Sequence, residues 1–444
     1  MPTKFEKLAV KKSEYQRRRK ELMAQMEPDS IAILASAHEI IRNGDSTFAY
    51  RQSSDMYYLT GFNEPESVLV LIPGRAQGQC LLFCQEKDPL KELWHGKLLG
   101  PDAATEDLGL DDAFPITDMD DILPGLIEGR ERVYYAMGKD EHFDHRIMEW
   151  VKQIRSKIRS GAHSPGEFLV LDHLLHEMRL IKSRAELKLM KESGQIAVKA
   201  HTRAMEVCQP GMNEYEIEAE YLHEFRKSGC SGAAYNSIVA GGDNACILHY
   251  TENNEELNKG DLLLIDAGCE YQSYASDITR TFPVDGVLSK EQKAIYELVL
   301  KAQLEAIEAV KPGNHWDDPH NVTVQVITQG LVKLGLLKGR VKKLIEDGAY
   351  RDFYMHRAGH WIGLDVHDVG DYKIDGKWRV LEPGMVMTVE PGIYISPNNK
   401  KVDKKWRGIG VRIEDDVAVT KDGYEVLTAG LAKTVEEIET LMAN

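Results

Sequence analysis

Two aspartates in a mostly apolar stretch, "LLLIDAGCEYQSYASDITRTF" (residues 262–282), have the chemistry of metal ligands. Alternating β-branched and aromatic residues predict two antiparallel strands joined by a turn between Tyr271 and Gln272. Such a turn places Asp266 directly opposite Asp277, with Cβ atoms about 5 Å apart. Opposed carboxylates repel each other and are unfavourable to bury without a counter-charge. A divalent cation between the two carboxylates would supply this counter-charge. An exposed hairpin with two solvated aspartates is the alternative, but the apolar run before Asp266 favours burial.

A bridged pair of metal ions needs about five or six protein ligands, so the two aspartates alone are not enough. Three downstream segments contain residues that could supply the other ligands. The segment "MHRAGHWIGLDVHDVG" contains the histidines His356, His360 and His367. Glu390 ends an apolar strand in "TVEPGIY", and Glu414 follows Arg412 by two residues in "VRIEDD", so that both share one strand face. A lone histidine is more often a hydrogen-bonded core residue, and a strand-end glutamate is usually solvated. Their joint occurrence in buried strands indicates a metal centre.

The composition limits the classes of protein to which this chain can belong. Its 444 residues, 43% of them hydrophobic, predict two or three globular domains. The net charge of −16 and the lack of a long basic run argue against a nucleic-acid or anionic-membrane partner. The nearest basic cluster, Arg17 to Lys20, is interpreted as a solvated face of a helix over residues 11–26.

The expected location is the cytoplasm. Residues 1–4 lead into charged residues without an apolar segment, and no stretch approaches the roughly 18 apolar residues of a membrane span. The six cysteines lack paired metal-binding spacing and are expected to be reduced. Cys269 has the opposite strand parity to Asp266, so its thiol should point away from a metal.

The elements that position these residues lie in two parts of the chain that differ in predicted secondary structure. Before residue 160 the chain reads as α/β, with strands expected at 30–36, 67–74, 79–85 and 132–138. A linker is predicted at 160–168. Long helices follow and are predicted over 183–207, 213–228 and 290–310. The predicted domains are residues 1–172 and 173–444.

The segments that carry the acids and His360 closely resemble the "pita-bread" metallopeptidases, the group of prolidase, methionine aminopeptidase and creatinase. The amino-terminal segments "RNGDSTFAYRQSSDMYYLTGFNEPESVLVLI" and "LWHGKLLGPDAA" resemble aminopeptidase P. This resemblance implies a mixed α/β (α+β) protein. A creatinase-like α/β domain would span 1–172, and a pita-bread domain with a dinuclear centre would span 173–444.

The resemblance also implies the ligand set Asp266, Asp277, His360, Glu390 and Glu414. Asp277 and Glu414 would bridge the ions, Asp266 would chelate one, and His360 with Glu390 would complete the other. The four carboxylates carry four negative charges, which two divalent cations neutralise. Four oxygen donors and one imidazole favour Mn²⁺.

The catalytic roles follow from the same resemblance. Two ions hold a bridging hydroxide that attacks the peptide carbonyl. His249 and His367 would lie near the oxyanion, His356 would lie in the substrate pocket, and Glu390 would pass a proton to the leaving nitrogen. Arg412 is expected to orient carboxylates or hold substrate, with a structural salt bridge as the alternative. This chain has Arg357 and Gly359 where small residues, often serine, occur in relatives.

The expected reaction removes the first residue from peptides of three or more residues with proline second. A prolidase specific for Xaa-Pro dipeptides is the first alternative. A pita-bread binding protein without activity is the second, which the five retained ligands disfavour. The resemblance further implies a homodimer or homotetramer in which Asp45 and Trp94 reach a neighbouring active site. Simple core packing is the other interpretation of Trp94.

Overall fold

The computed structural model describes residues 8–443 and divides the chain into two compact units, Met1–Arg179 and Leu180–Asn444. The mixed α/β fold class is confirmed. The domain boundary between 172 and 173 stays a prediction. The linker expected at 160–168 lies inside the first unit and leads into a strand of its sheet. Residues 1–4, interpreted above as lacking a targeting segment, lie outside the described residues.

The first unit is built on a six-stranded mixed sheet. Its helices are α1 Lys12–Gln25, α2 Ser54–Thr60, α3 Pro89–His95, α4 Gly100–Leu108, α5 Met119–Ile127, α6 Glu141–Ser156 and α7 Asp172–Leu180. Its strands are β1 Ser30–Ala35, β2 Ile41–Asn43, β3 Ser46–Thr47, β4 Val68–Leu71, β5 Cys80–Cys84, β6 Asp112–Pro115, β7 Arg132–Tyr135 and β8 Glu167–Val170. The sheet order is β6-β5-β4-β1-β7-β8, and apolar residues of the sheet pack with those of α5 and α6 in one core.

The interpretation of the basic cluster as a solvated helix face is wrong for two of its four members. Arg18 and Arg19 are buried, whereas Arg17 and Lys20 are exposed. Arg18 donates to the carbonyl of Tyr58 at 2.9 Å. Arg19 donates to the carbonyls of Leu59, Leu108 and Gly109 at 2.8, 3.0 and 2.7 Å. These carbonyls lie at the carboxyl ends of α2 and α4, where intrahelical donors are lacking, so the two guanidinium groups act as helix caps.

The second unit contains long helices and a set of small sheets. Its helices are α8 Arg184–Val207, α9 Glu214–Lys227, α10 Lys290–Glu308, α11 Asp318–Lys333, α12 Val341–Glu346 and α13 Val435–Met442. Its strands are β9 Gly232–Ala233, β10 Ile238–Gly241, β11 Leu262–Asp266, β12 Cys269–Tyr271, β13 Tyr274–Ala275, β14 Thr279–Pro283, β15 Lys373–Ile374, β16 Lys377–Trp378, β17 Val386–Val389, β18 Gly392–Ile395, β19 Ile409–Arg412, β20 Asp415–Val419 and β21 Tyr424–Val426. The three predicted long helices are present, and Ser183 and Ser289 form capping boxes at α8 and α10.

The predicted register of the aspartate hairpin is wrong by two residues, because the turn is centred one residue later than expected. Asp266 pairs with Thr279 rather than with Asp277, and Tyr271 pairs with Tyr274. The turn is therefore centred on Gln272 and Ser273, which adopt positive φ values of 51° and 66°. Such values match the two-residue hairpin turn that usually requires Gly or Asn. Because Asp277 lies two residues before Thr279, the hairpin still brings both aspartates to the same site.

Among the described residues, no helix is both long enough and apolar enough to cross a membrane. The six cysteines are free thiols, as expected. Cys269 is buried and directs its sulfur toward Ser193 and Ser276, which agrees with the prediction that it points away from the aspartates.

Candidate metal centre

The five predicted ligands line one cavity of about 520 Å³ in the second unit. Asp266 ends β11, and Asp277 lies in the loop between β13 and β14. Glu390 directly follows β17, and Glu414 lies between β19 and β20. His360 is held beside β17, because its N–H donates to Thr388 Oγ1 at 3.0 Å and its carbonyl accepts from Thr388 N at 2.9 Å. Short strands that end at one place thus deliver donors from distant parts of the sequence.

The donor atoms of Asp277, His360 and Glu414 lie within 4.8 Å of one another. His360 Nε2 is 3.4 Å from Asp277 Oδ2 and 3.8 Å from Glu390 Oε1. Asp266 joins the group through Tyr235, whose phenol oxygen lies 2.6 Å from Asp266 Oδ1 and 2.5 Å from Asp277 Oδ1. The structure therefore brings all five side chains together, while their ligation of a metal stays a prediction.

The protonation equilibria of these groups indicate uncompensated negative charge. Burial raises the pKa of Asp277, and the nearby charge of Asp266 raises it further. Burial raises the pKa of Glu390 to about 7, against the opposing effect of His360. Burial followed by the charges of Asp277 and Glu390 raises the pKa of Glu414 well above its usual value. Carboxyl groups that resist ionisation are stabilised as anions by a nearby cation.

The pKa of His360 is also raised, but for a histidine this favours the charged form. Its burial disfavours the imidazolium, but hydrogen bonding to Asp277 and the charge of Glu390 outweigh burial and raise its pKa to about 9. The carboxylates thus draw a proton to the nearest base. Four carboxylates and one imidazole also form a donor set that suits a hard or borderline divalent ion. The residues therefore fit a pair of divalent cations in both charge and donor type.

Arg412 is buried beside these carboxylates and makes three side-chain contacts. It donates to Asp266 Oδ2 at 2.7 Å, to Tyr394 Oη at 2.9 Å and to Thr279 Oγ1 at 3.1 Å. Thr279 in turn donates to Glu414 Oε2 at 2.6 Å. Arg412 therefore contacts one candidate ligand, Asp266, directly and reaches a second, Glu414, through Thr279. This geometry fits both an orienting role and a structural salt bridge, and the role of Arg412 stays a prediction.

The predicted pocket histidines His249, His356 and His367 line the same cavity. The His367 ring lies perpendicular to the His360 ring, with centroids 4.4 Å apart. His356 Nε2 is 2.9 Å from Tyr394 Oη, and its Nδ1 is 3.8 Å from Glu390 Oε2. Burial, followed by the charge of Arg412, lowers the pKa of His356 to about 4, so this imidazole is neutral at physiological pH.

Sequence reasoning missed four residues that hold the ligands in place: Tyr235, Thr279, Thr388 and Tyr394. Thr279 and Thr388 each lie two residues from an acid, and strand parity therefore contains a signal that places them on the same face. The two tyrosines have no comparable signal, because single tyrosines are common in buried strands. His201, on α8, is buried outside this cavity and lies with Nε2 2.9 Å from the carbonyl oxygen of Ala267.

The sequence matches two protein-family models and several known proteins. Residues 188–421 match the model of metallopeptidase family M24, and residues 15–134 match the aminopeptidase P N-terminal domain. The chain is 46% identical over 434 residues to the Xaa-Pro aminopeptidase of Escherichia coli, covering 98% of both chains.

Two solved structures match over nearly the whole length. The Pseudomonas aeruginosa aminopeptidase PepP is 63% identical, with a TM-score of 0.98 over 98% of this chain and 99% of its own. A zinc-substituted E. coli aminopeptidase P in complex with product is 46% identical, with a TM-score of 0.95 over 98% of each chain.

Proposed function

This chain belongs to metallopeptidase family M24, and we propose that it is a metal-dependent Xaa-Pro aminopeptidase that removes the first residue of peptides with proline second. The observation that carries the proposal is the convergence of four carboxylates and His360 in one cavity. The similarity to Xaa-Pro aminopeptidases, which extends over 98% of the chain, supports the substrate class.

The five converging residues would hold two divalent ions, for which we propose Mn²⁺ in the cell: Asp266, Asp277, His360, Glu390 and Glu414. Such a pair of ions lowers the pKa of a shared water molecule and supplies a nucleophile at neutral pH. Metal availability decides between Mn²⁺, Zn²⁺ and Co²⁺, since the affinity order alone does not. Tyr235 and Arg412 orient the carboxylates that approach the ions.

The surrounding side chains handle the substrate and the protons. His249 and His367 stabilise the carbonyl oxygen as it gains negative charge. Glu390 accepts a proton from the attacking water and delivers it to the leaving proline nitrogen. His356, held from behind by Tyr394, forms one wall beside the proline ring.

Proline at the second position explains why such a site is needed. Its tertiary amide has no N–H to donate and its ring fixes φ near −65°, so peptidases that bind this N–H fail on it. The free amino group of the substrate is oriented by the acidic cluster or by Asp45. A prolidase shares the same ligands and is the closest alternative, but the match to Xaa-Pro aminopeptidases over both units disfavours it. The convergence of all five donors disfavours an inactive binding protein.

The test is a peptide panel assayed with Mn²⁺ and with Zn²⁺, beside metal analysis of the purified protein. We expect about two ions per chain, cleavage of Xaa-Pro-Xaa, and poor turnover of Xaa-Pro, Xaa-Ala-Xaa and the N-acetylated tripeptide. Chelation should abolish the activity and Mn²⁺ should restore it. Cleavage of Xaa-Pro alone would reassign the protein to prolidase, and a preference for Xaa-Ala-Xaa would exclude a proline pocket. Two bound ions without hydrolysis would favour the binding protein.

We also propose that the protein forms a homodimer or homotetramer in which Asp45 and Trp94 approach a neighbouring active site. Asp45 is exposed, and the Trp94 side chain is 79% exposed, so the interpretation of Trp94 as core packing is wrong. Leu90 and Leu93 are also exposed on α3. A cytoplasmic location stays a prediction, which the free thiols suit.

A further inference from the structure

Arg357 lies on the wall of the candidate metal cavity, between His356 and His360 in the sequence. It is the residue at which this chain departs from the small side chains expected between these histidines. Its side chain is 44% exposed, so it is accessible from the cavity mouth. A long cation in place of a small residue changes what the cavity can bind.

Two contacts hold the Arg357 side chain in one position. Its Nη2 donates to Asp317 Oδ1, from the residue that precedes α11. Its guanidinium carbon lies 4.7 Å from the ring centroid of Trp378 on β16. A planar guanidinium that is already ordered loses little rotamer freedom when it binds a ligand. The site is therefore prepared before a substrate arrives.

The guanidinium retains capacity for a ligand. Arginine has five N–H donors, and Asp317 takes one of them. Within residues 8–443 no other protein acceptor lies within hydrogen-bond distance of this guanidinium. The second arginine of the cavity, Arg412, is already bonded to Asp266, Tyr394 and Thr279. Arg357 is therefore the arginine that can offer donors to an anionic group.

The position of Arg357 relative to Glu390 indicates the length of the peptide that its side chain could contact. The two neighbours of Arg357 in the chain both approach Glu390: His356 Nδ1 lies 3.8 Å from its Oε2, and the Ala358 carbonyl accepts from its N–H at 2.8 Å. The Arg357 backbone thus lies beside Glu390, the residue proposed to protonate the leaving nitrogen, and its partly exposed side chain leads away from it to Asp317. An extended peptide advances about 3.3–3.6 Å per residue, so the carboxylate of a tripeptide lies about two residues, roughly 7 Å, beyond the scissile bond. A fully extended arginine covers a similar distance.

We propose that Arg357 is a specificity-determining residue that binds the terminal carboxylate of the residue after proline. Arginine and carboxylate match in charge and in fork geometry. The consequence is a preference for tripeptides with a free carboxylate over amidated peptides of the same sequence. The inference rests on the proposed aminopeptidase function and adds the length and terminal charge of its substrate.

The experiment compares Ala-Pro-Ala with Ala-Pro-Ala-amide as substrates of the Mn²⁺-loaded protein. We expect the wild type to prefer the free acid by about 10-fold or more in kcat/KM, since hydrogen bonds to charged groups are among the stronger ones. Arg357→Ala should raise KM for the acid by about the same factor, with a much smaller effect on the amide, so that the preference disappears. Arg357→Lys should retain part of it, because the charge remains without the fork.

Arg351→Ala is the matched control, because Arg351 is an exposed arginine of the same unit that contacts Tyr350 and lies outside the cavity. It should keep the preference of the wild type. Metal content and Tm must match among the variants, and if Arg357→Ala does not fold, the comparison is made with Arg357→Lys.

Two results would overturn the inference. A wild type that cleaves acid and amide equally has no carboxylate recognition, and an equal loss on both substrates in Arg357→Ala would assign Arg357 to closure of the cavity rim through Asp317. A wild type that cleaves no Xaa-Pro peptide would instead overturn the proposed function itself.

Discussion

Glu390 combines two duties, since it is a candidate metal ligand and a candidate proton carrier. Its carboxylate lies 3.8 Å from the side chains of both His360 and His356, inside the cavity where it can accept a proton from the attacking water and pass it to the leaving nitrogen. We expect Glu390→Gln to lower kcat by about 100-fold or more while KM changes far less. Steady-state kinetics on a Xaa-Pro-Xaa peptide, at metal content equal to the wild type, provide the measurement. An unchanged kcat in the fully metallated variant would refute the proton-transfer role.

Tyr235 lies within hydrogen-bond distance of two candidate ligands, Asp266 and Asp277. A hydroxyl has one proton to donate, so it orients one carboxylate at a time toward the shared centre. We expect Tyr235→Phe to weaken metal affinity by about 10- to 100-fold. The measurement is activation by titrated Mn²⁺. Tyr250→Phe is the control, because Tyr250 bonds to Glu214 outside the cavity, and equal effects of both variants would contradict the role.

The sequence predicts those site residues whose type and strand parity are distinctive. It does not predict residues whose position depends on contacts between distant strands. Asp266 and Asp277 stand out because acids are rare in an apolar run, and both reach the cavity. Their direct pairing was predicted wrongly, because Gln272 and Ser273 adopt turn conformations that side chains other than Gly and Asn rarely take. Tyr394 gave no signal, since its partner Arg412 comes from another strand.

Helix α1 stabilises the first unit through its buried guanidinium groups rather than through a solvated basic face. Composition predicts a solvated face, and only the ends of α2 and α4 reveal why two arginines are buried. We expect Arg19→Met to lower the free energy of unfolding by about 3 kcal/mol or more, since it leaves buried carbonyls without donors. Urea denaturation of the full chain would measure the change. Arg17→Met should stay within about 0.5 kcal/mol, and similar losses in both variants would contradict the capping role.

Helix α8 contributes a pH-dependent contact through His201. Burial lowers its pKa to about 4, below the usual value of about 6.5. The unfolded chain therefore binds a proton below pH 6.5 that the folded chain does not, and stability decreases as pH falls from about 6.5 to about 4. Between pH 7 and pH 5 we expect a loss of about 2 kcal/mol from this group.

The measurement for His201 is urea denaturation of the metal-free wild type and of His201→Asn at both pH values. The difference between the two proteins isolates the histidine from the other titrating groups. The variant should lose less stability than the wild type over this range. Parallel losses would show that His201 does not contribute.

At the scale of the assembly, the exposed surface of α3 provides the next test. If Trp94 reaches a neighbouring active site, Trp94→Ala should lower kcat/KM at least several-fold without lowering Tm, and sedimentation should show dimers or tetramers for the wild type. Met148→Ala is the control, because Met148 is also exposed, at 62%, but lies on α6. A fully active monomer would refute the proposal.

The wide spacing of the metal donors along the chain has a consequence for biogenesis. Asp266 and Glu414 are separated by about 150 residues, so the centre has a high contact order and assembles only after most of the second unit has formed. A metal ion that needs all five donors therefore finds its site only in the folded second unit. Metal ions select the finished native state by mass action, and a chain synthesised under metal starvation should fold first and be activated afterwards.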